Sequence, residues 1–383
     1  KGQKLGKRGN LISAAIHSTV SGLVSDIKEH EIPHISGLPD ICIFIENDFK
    51  DEWFERKPLG ENYSHTSSSD LREIIRDAGI VGLGGATFPA AVKQTEVNVE
   101  TLILNGAECE PYITCDDVLM REHAEEVLSG ADIIGQIIKA RQCIIAIEDN
   151  KPEAIKAIRQ VIKKDGTGFF QIKIIPTIYP SGGEKQLIKI ITNKEVPKDN
   201  YPADLGVLCH NVATAYAVHR AIYFAEPLIS RFTTVTGHGI KHAQNIEVLI
   251  GTPMQACIEH CGGYTEDSDE LIMGGPMMGL TLPDDSLPVT KATNCVIALQ
   301  SGDLSPIKTE MPCIRCGECV QVCPARLLPQ ELLTTARLEV AETVKQGTQE
   351  ILDSYGAGIE IVAAHLQAGG RQFTHCHLFD FAR

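Results

Sequence analysis

Residues 101–106, TLILNG, form an apolar run that ends in Asn-Gly and is followed by the polar sequence AECEP. A short apolar run bounded by turn residues predicts a buried strand. On both sides of this run, helical and strand-like patterns alternate from about residue 70 to 225. This alternation predicts an α/β domain with a mostly parallel sheet, in which ligands bind beyond the carboxyl ends of the strands. The predicted helices are 71–79, 124–140 and 152–164, and the other predicted strands are 143–148 and 172–178.

The residues before the α/β domain show a different sequence pattern. Residues 1–60 contain short β-type runs separated by glycine, and they resemble half of a lipoyl-like barrel-sandwich module. No Met-Lys pair for cofactor attachment occurs there, so a structural hairpin is favoured over a cofactor arm. The polar stretch ENYSHTSSSD at 61–70 predicts a linker that ends in a helix N-cap at Ser69 or Asp70.

Three further boundaries follow from these changes in texture. The α/β domain is expected to span 70–228. Residues 229–300 contain short β-type runs with glycine pairs, which predict a small β-rich, ubiquitin-like module. Residues 306–383 contain a cysteine run, followed by a helical period at 330–368 that glycines interrupt. The predicted fold class is therefore a multidomain α/β protein.

Composition limits the function. The 383 residues include 50 acidic and 35 basic side chains, a formal net charge of -15 that repels phosphate backbones and disfavours nucleic acid as a partner. No stretch approaches the ~20 apolar residues of a membrane span, so any membrane contact is expected to be peripheral. The chain begins with Lys1 and shows no export signal, as expected of a fragment that starts inside a domain. Most of its thirteen cysteines stand alone, which favours a reducing cytosol over a disulfide framework.

The most specific motif is CIRCGECVQVCP at 313–324. It matches the C-x2-C-x2-C-x3-C-P run of bacterial ferredoxins, in which thiolates bind a 4Fe-4S cluster. A zinc site and unreactive buried cysteines are the alternatives, but neither requires this spacing or the proline. The predicted metal ligands are Cys313, Cys316, Cys319 and Cys323.

A single run leaves this ligand set incomplete. In two-cluster ferredoxins the fourth cysteine of each run binds the other cluster, so Cys323 would need a second run. Downstream only Cys376 remains, between His375 and His377, and an incidental cysteine is favoured there over a remote ligand. One or two 4Fe-4S clusters are therefore expected, the second with ligands beyond residue 383.

A second candidate site is the glycine cluster in GIVGLGGATFPAAVK at 79–93. Glycines allow the backbone to approach a ligand and to offer N–H groups to a phosphate, although a structural turn explains an isolated cluster equally well. Three polar loops lie at or beyond predicted strand ends: NGAECEPYITCDD at 105–117, YPSGGEKQLI at 179–188 and LCHNVATAYAV at 208–218. Asn and Glu in any one loop are commonly solvated turn residues. Together with the glycines, the three loops predict a flavin site.

In this order, GLGGATFPAAVK, NGAECEP, SGGEKQ and HNVATA resemble the FMN- and NADH-binding domain shared by the complex I flavoprotein and the C component of the Rnf electron-transport complex. The stretches IGTP and IMGGPMMG, with the half barrel-sandwich in front and the cysteine run behind, resemble the Rnf protein specifically. The resemblance covers about residues 1–333 and implies that 229–300 is an SLBB module. The Rnf proteins carry a second cysteine run soon after the first, whereas this sequence ends at Arg383.

The resemblance also implies roles for individual residues. The FMN phosphate would be cradled by Gly82, Gly84, Gly85 and Lys93, and the flavin would be bound by Asn105 and Asn211, with His210 where complex I flavoproteins carry a second asparagine. The nicotinamide side would be lined by Glu108, Glu110, Tyr179 and Glu184, next to Gly182 and Gly183, and Phe88 would stack on adenine. Glu184 and Glu110 are the predicted catalytic residues.

The function that the resemblance implies is electron transfer between NADH/NAD, FMN and 4Fe-4S clusters in an Rnf-type ion-translocating ferredoxin:NAD oxidoreductase. The expected partners are the other subunits of that membrane-bound complex, including a ferredoxin-like subunit. The expected location is the cytoplasmic face of the cell membrane. The alternatives are a soluble NADH-linked donor to another reductase, and an electron-carrier or scaffold subunit without flavin.

Overall fold

The computed structural model describes residues 1–7, 9, 12–94, 99–197, 200–304, 313–323 and 327–337, with side chains up to 333. The chain divides into two units. The larger comprises Lys1–Ile27 and Ile43–Asp303, and the smaller comprises Lys28–Cys42 and the chain from Leu304 onward. Among the described residues, no helix is long and apolar enough to cross a membrane. Every cysteine in the described ranges is free.

The first 50 residues contain two two-stranded sheets, of which the first is antiparallel. Strand β1 (Lys4–Gly6) pairs with β2 (Ile16–His17), and β3 (Gly22–His30) neighbours β4 (Asp40–Asn47). These sheets agree with the β-type runs predicted for the amino-terminal module.

The α/β domain contains a four-stranded parallel sheet flanked by helices. Three of its strands are mostly apolar and buried, as expected for strands covered on both faces, whereas the edge strand Phe170–Ile175 alternates with polar residues and is partly exposed. A 3-10 helix spans Gly60–His65 before the first α-helix, and another spans Pro202–Leu205 before the last strand. In chain order the elements are α1 (Ser68–Asp77), α2 (Ala90–Lys93), β5 (Thr101–Gly106), α3 (Cys115–Glu122), α4 (Ala124–Ile138), β6 (Gln142–Glu148), α5 (Pro152–Asp165), β7 (Phe170–Ile175), α6 (Glu184–Thr192), β8 (Val207–Asn211) and α7 (Val212–Phe224).

Two predicted boundaries in this domain are wrong. Helix α1 is capped by Ser67, whose hydroxyl accepts the backbone N–H of Asp70 at 3.2 Å, rather than by Ser69 or Asp70 themselves. Strand β7 ends at Ile175 rather than at 178, because Pro176 has no N–H for the ladder. Ile178, which suggested a longer strand, is exposed.

The strand order is β7-β6-β5-β8, so the chain adds strands on one side of β5 and then returns to place β8 on its other side. The order of the sheet therefore reverses between β5 and β8. In open α/β sheets a ligand crevice forms at such a reversal, beyond the carboxyl ends of the strands. This topology, more than any single motif, locates the candidate site.

The third module is a five-stranded mixed sheet in the order β10 (Gln244–Leu249), β9 (Ser230–Thr236), β13 (Cys295–Gln300), β11 (Ser268–Met273) and β12 (Leu280–Leu282). Strands β9 and β13 are parallel and the other neighbours are antiparallel. Its core is separate from that of the α/β domain and includes Met254, Ile258 and Val296. The module also contains α8 (Met254–His260) and a 3-10 turn at Ser301–Asp303.

In the smaller unit, the described part of the cysteine segment contains two short helices, α9 (Glu318–Val322) and α10 (Pro329–Arg337). The helical period predicted for 330–368 lies outside the described residues after 337. Cys376 and its two flanking histidines also lie outside them.

Candidate functional site

Two asparagines lie side by side at the strand-order reversal. Asn105 lies at the end of β5, Asn211 ends β8, and the register pairs them directly across the ladder. The Asn105 side chain clamps two loops: its Nδ2 donates to the Gly182 carbonyl at 2.9 Å, and its Oδ1 accepts the Ala107 N–H at 3.0 Å. The loops after β5 and before α6 therefore meet at this asparagine.

Asn211 joins helix α7 to a buried carboxylate. Its Oδ1 caps the helix by accepting the Ala213 N–H at 2.8 Å, and its Nδ2 donates to Asp116 Oδ2 at 2.6 Å. One Nδ2 hydrogen remains in addition to the one given to Asp116, because an amide nitrogen carries two. The side chain is thus fixed in orientation while it still offers a donor.

The glycine-rich loop packs directly on Asn211. A Cβ at Gly84 would lie 3.2 Å from Asn211 Cβ, which leaves no room for a side chain without a shift of its neighbour. Gly85 has a φ of +122°, which side-chain-bearing residues rarely adopt, and no atom lies within 4 Å of its Cβ direction. Gly82 donates its N–H to the Phe88 carbonyl at 2.8 Å and closes the loop. The loop therefore presents bare backbone to open space, as a phosphate cradle requires.

Two side chains from other elements hold this loop in place. Thr214 on α7 accepts the Leu83 N–H at 2.9 Å, and Arg231 on β9 donates from Nη2 to the Leu83 carbonyl at 3.2 Å. Arg231 also donates to the carbonyls of Lys291 and Phe232. It is buried, with 4% of its surface exposed. A residue of the β-rich module therefore fixes the loop of the α/β domain.

Lys93 and Glu184 form an ion pair between the end of α2 and the first turn of α6. Both side chains are partly exposed, at 28% and 39%. His210, on β8 next to Asn211, is buried, and its Nε2 has no hydrogen-bond partner in the described structure. Burial, assisted by the nearby Lys93 charge, lowers the pKa of His210 to about 3. The imidazole is therefore neutral at physiological pH and offers an unsatisfied polar atom.

Three buried carboxylates lie behind the two asparagines. Glu108 accepts the N–H groups of Asp116 and Asp117 at 2.8 and 3.3 Å, and Glu148 accepts the Glu108 N–H at 3.1 Å. Burial raises the pKa of Glu108, and the Asp116 charge adds to the increase. Burial also raises the pKa of Asp116 and of Glu148. Positive charge near them comes from Lys151, whose Nζ lies 3.4 Å from Glu108 Oε2, and from Arg231, which lies near Asp116.

Glu110 faces the β-rich module rather than the sheet. Its Oε2 accepts the N–H of Met277 at 3.0 Å. Tyr179 lies two residues before Ser181, whose hydroxyl donates to Glu148 Oε1 at 3.4 Å. Tyr179 and Phe88 are 38% and 40% exposed, so each has aromatic surface available to a ligand.

Within the described ranges, one group of three possible metal ligands has its donor atoms within 4.8 Å of one another: Glu108, Cys115 and Asp116. Burial raises the pKa of the Cys115 thiol well above its usual value, and the Arg231 guanidinium lies near both Cys115 and Asp116. A protonated thiol and a fixed cation are unfavourable for metal binding. This cluster is better described as buried support for the asparagines.

The four cysteines of the ferredoxin-type run lie on a loop and the following helix. Cys313, Cys316 and Cys319 are exposed and Cys323 is partly buried. Left-handed backbone at Arg315 and Gly317 turns the chain between them. Cys323 Sγ accepts the Leu327 N–H at 3.4 Å, and Pro324 lies outside the described residues. Accessible thiols with this spacing are suitable for an iron–sulfur cluster.

Sequence reasoning missed Asp116, Glu148, Thr214 and Arg231. Asp116 lies inside the polar loop at 105–117 and Thr214 inside HNVATA, so both were within motifs already singled out. Arg231 had no such signal, because it follows the predicted domain boundary. Its link to Leu83 is a contact between residues 148 positions apart.

Three stretches of the chain match models of known domain families. Residues 75–220 match the family model of the Nuo51 FMN-binding domain, residues 232–281 that of the SLBB domain, and residues 1–50 that of the RnfC barrel sandwich hybrid domain. The β-rich module is therefore an SLBB module.

Several similar proteins are named as the C component of an ion-translocating oxidoreductase complex. The protein from Rhodobacter capsulatus is 48% identical over 335 residues, which are 87% of this chain and 64% of that protein. Those from Vibrio cholerae and Pseudomonas aeruginosa are each 47% identical, over 88% and 87% of this chain but only 44% and 43% of their own lengths. The chain thus spans less than two thirds of the relatives it matches.

Among solved structures, an NAD+-reducing [NiFe]-hydrogenase in the H2-reduced state matches with a TM-score of 0.55 and 17% identity. The match covers 81% of this chain and 62% of the hydrogenase chain. At this identity the similarity shows a shared fold. It agrees with the α/β domain and SLBB module described above.

Proposed function

Because the chain belongs to the RnfC family, the C components of ion-translocating oxidoreductase complexes, we propose that it binds FMN and oxidises NADH, or reduces NAD, and exchanges the electrons with 4Fe-4S clusters. The supporting observation is the paired Asn105 and Asn211 at the strand-order reversal, with the glycine-rich loop packed on Asn211. FMN, when bound, accepts hydride from the nicotinamide and releases electrons singly.

The described residues fit FMN in four respects. Gly85 leaves open space where a phosphate would meet backbone N–H groups, and Lys93 supplies a positive charge. Asn211 retains one amide hydrogen, and His210 Nε2 is a buried atom without a partner in the described structure. These are donors and acceptors that a flavin ring would satisfy.

The protein's own contribution would be orientation and control of charge. Neutral His210 places no cation beside the flavin, because its pKa is far below physiological pH. Glu184, at the start of α6 and paired with Lys93, would orient the nicotinamide and disfavour a like charge close to it. The SLBB module would fix the cradle through Arg231.

For the cysteine segment we propose that Cys313, Cys316 and Cys319 bind one 4Fe-4S cluster. Cys323 would bind a second cluster that other cysteines complete. The expected partners are the remaining subunits of the membrane complex, including a ferredoxin-like subunit, with peripheral attachment at the cytoplasmic face.

The test is anaerobic reconstitution of the protein with FMN, iron and sulfide, followed by titration with NADH. We expect stoichiometric FMN, a broad iron–sulfur absorbance, and bleaching of the flavin bands by NADH. An iron–sulfur spectrum without flavin binding would instead identify an electron carrier, and a flavin that NADH leaves oxidised would contradict the proposed reaction.

A further inference from the structure

The sequence GGPMMG at 274–279 connects β11 to β12 of the SLBB module in a closed turn. Gly279 donates its N–H to the Gly275 carbonyl at 2.7 Å, and Gly274 donates to the Cys295 carbonyl at 2.8 Å. These bonds place Met277 and Met278 at the tip of the turn. The two methionines are 42% and 39% exposed.

This turn is built around the Glu110 side chain of the α/β domain. The Met277 N–H donates to Glu110 Oε2 at 3.0 Å. A Cβ at Gly275 would lie 1.9 Å from the same oxygen and 2.7 Å from Glu110 Cβ, so only glycine permits the approach. The contact joins residues 167 positions apart, and the two modules therefore fit each other at this point.

Glu110 belongs to the loop that borders the candidate flavin crevice. The preceding residue is Cys109, and a Cβ placed on Gly182 would lie 3.1 Å from its Sγ. The Gly182 carbonyl in turn accepts a hydrogen bond from Asn105 at the end of β5. A continuous series of contacts thus leads from the strand-order reversal through Cys109 and Glu110 to Met277. The methionine turn therefore lies against the loop that follows β5, on the Glu110 side.

The chemistry of this turn suits an aromatic ring. Thioether sulfur is polarisable and packs favourably against aromatic rings, and the unbranched methionine side chain adapts to the shape of its ligand. Two adjacent methionines at a rigid tip are apolar surface that folding leaves uncovered. A nicotinamide dinucleotide carries an adenine in both redox states, and an aromatic nicotinamide ring when it is oxidised, and would cover such a surface.

We propose that the SLBB turn 274–279 forms one wall of the dinucleotide site, where Met277 and Met278 contact an aromatic ring of NADH and the Met277 N–H holds the Glu110 carboxylate in place. The inference rests on the proposed NADH oxidation. It adds a binding surface from a second module and makes the SLBB module part of the substrate site.

The kinetic test uses the full chain loaded with FMN and an artificial electron acceptor. Met277→Ala and Met278→Ala should each raise KM for NADH about threefold, and the double variant about tenfold, with kcat and FMN content unchanged. Leu23→Ala is the matched control, because Leu23 is an exposed apolar residue of the barrel-sandwich module. An unchanged KM in the double variant, with NADH oxidation intact, would overturn the inference.

A second measurement is independent of activity. Exposed methionines are oxidised to sulfoxides by peroxide, and a bound ligand shields them. Saturating NAD or ADP-ribose should slow oxidation of Met277 and Met278 several-fold in wild-type protein, as measured by mass spectrometry. Equal oxidation with and without both ligands would overturn the proposal.

The two tests separate this inference from the function on which it rests. If the wild-type protein neither binds NAD nor oxidises NADH, the proposed function fails. If it does both and the methionine variants match Leu23→Ala, only the role of the turn fails. Methionine variants that keep normal NADH kinetics but lose assembly with membrane subunits would overturn the proposal and assign the turn to a protein partner.

Discussion

Replacing Arg231 by methionine should weaken the flavin site, although Arg231 lies in the SLBB module and the site lies in the α/β domain. The guanidinium donates to the carbonyls of Leu83, Phe232 and Lys291 and is buried. Its positive charge also lowers the pKa of Asp116, which burial otherwise raises. Methionine fills a comparable volume but supplies neither the charge nor the donors.

The size of the effect follows from these contacts. A buried carbonyl that loses its donor costs about 1–3 kcal/mol, because its desolvation is no longer offset by a hydrogen bond. The Leu83 carbonyl loses its donor while the Leu83 N–H keeps Thr214, so the glycine-rich loop is held on one side only. We expect at least a tenfold increase in the FMN dissociation constant, since a loss of about 1.4 kcal/mol in binding is tenfold.

The assay measures FMN affinity by fluorescence quenching and stability by urea denaturation of the same samples. Arg220→Met is the matched control, because Arg220 forms ion pairs with Glu226 and Glu247 at a partly exposed position and does not hold the loop. Its loss should cost about 1 kcal/mol or less and leave FMN affinity unchanged. Arg231→Lys should give an intermediate affinity, since one ammonium cannot reach all three carbonyls in the guanidinium's geometry. Equal FMN affinity in Arg231→Met and Arg220→Met would refute the reasoning.

The remaining predictions concern the site residues themselves. Gly84→Val should abolish FMN binding, because the valine side chain would meet Asn211. Gly82→Ala, whose Cβ makes only ordinary contacts, should leave the stability of the protein unchanged and weaken only the binding of FMN. Retention of stoichiometric FMN by folded Gly84→Val would remove Gly84 from the site. Glu184→Gln should keep FMN but slow NADH oxidation with an artificial acceptor, and unchanged turnover would contradict its role. The pKa of His210 is about 3 in the folded protein and 6.5 in an unfolded chain, so the unfolded chain binds an extra proton and the free energy of unfolding falls as the pH drops below 6.5. In His210→Asn the urea midpoint should therefore depend less steeply on pH below 6.5, and an unaltered slope would argue against this contribution. A longer chain with a second cysteine run should hold about eight irons rather than about four, and Cys323→Ser should damage the second cluster more than the first. If the longer chain held a single cluster and Cys323→Ser lost it, all four thiolates would bind that one cluster.

The sequence predicted the α/β domain well because its strands are short apolar runs and its helices have regular periodicity. The predicted strand at 101–106 is β5, and the predicted helix at 152–164 differs from α5 by one residue. The predicted helix and strand boundaries were wrong where a local hydrogen bond or a proline, rather than the apolar pattern, ends the element. Ser67 caps α1 because its hydroxyl reaches Asp70, which three adjacent serines could not reveal from composition alone.

The candidate site was predictable only in part for a different reason. Asn105 and Asn211 follow apolar runs, so their positions at strand ends could be predicted, but their pairing depends on the strand order. Asp116 and Arg231 are recognised only once β5, α3 and β9 are brought together. No spacing rule connects such residues, because Asp116 and Asn211 lie 95 positions apart and Arg231 and Leu83 lie 148 positions apart.

The buried charges around Asp116 are best explained by the geometry they impose. A group of buried ions is weak grounds for stability, because apolar residues of similar volume often stabilise a fold as well or better. Here Asp116 orients the Asn211 amide, and Arg231 holds the Leu83 carbonyl next to Gly84. Gly84 in turn packs on Asn211, so Asp116 and Arg231 both fix the contact between the Asn211 amide and the glycine-rich loop. An apolar core would leave the amide free to rotate and the loop free to move, and the cradle would then have to be ordered at the expense of FMN binding energy.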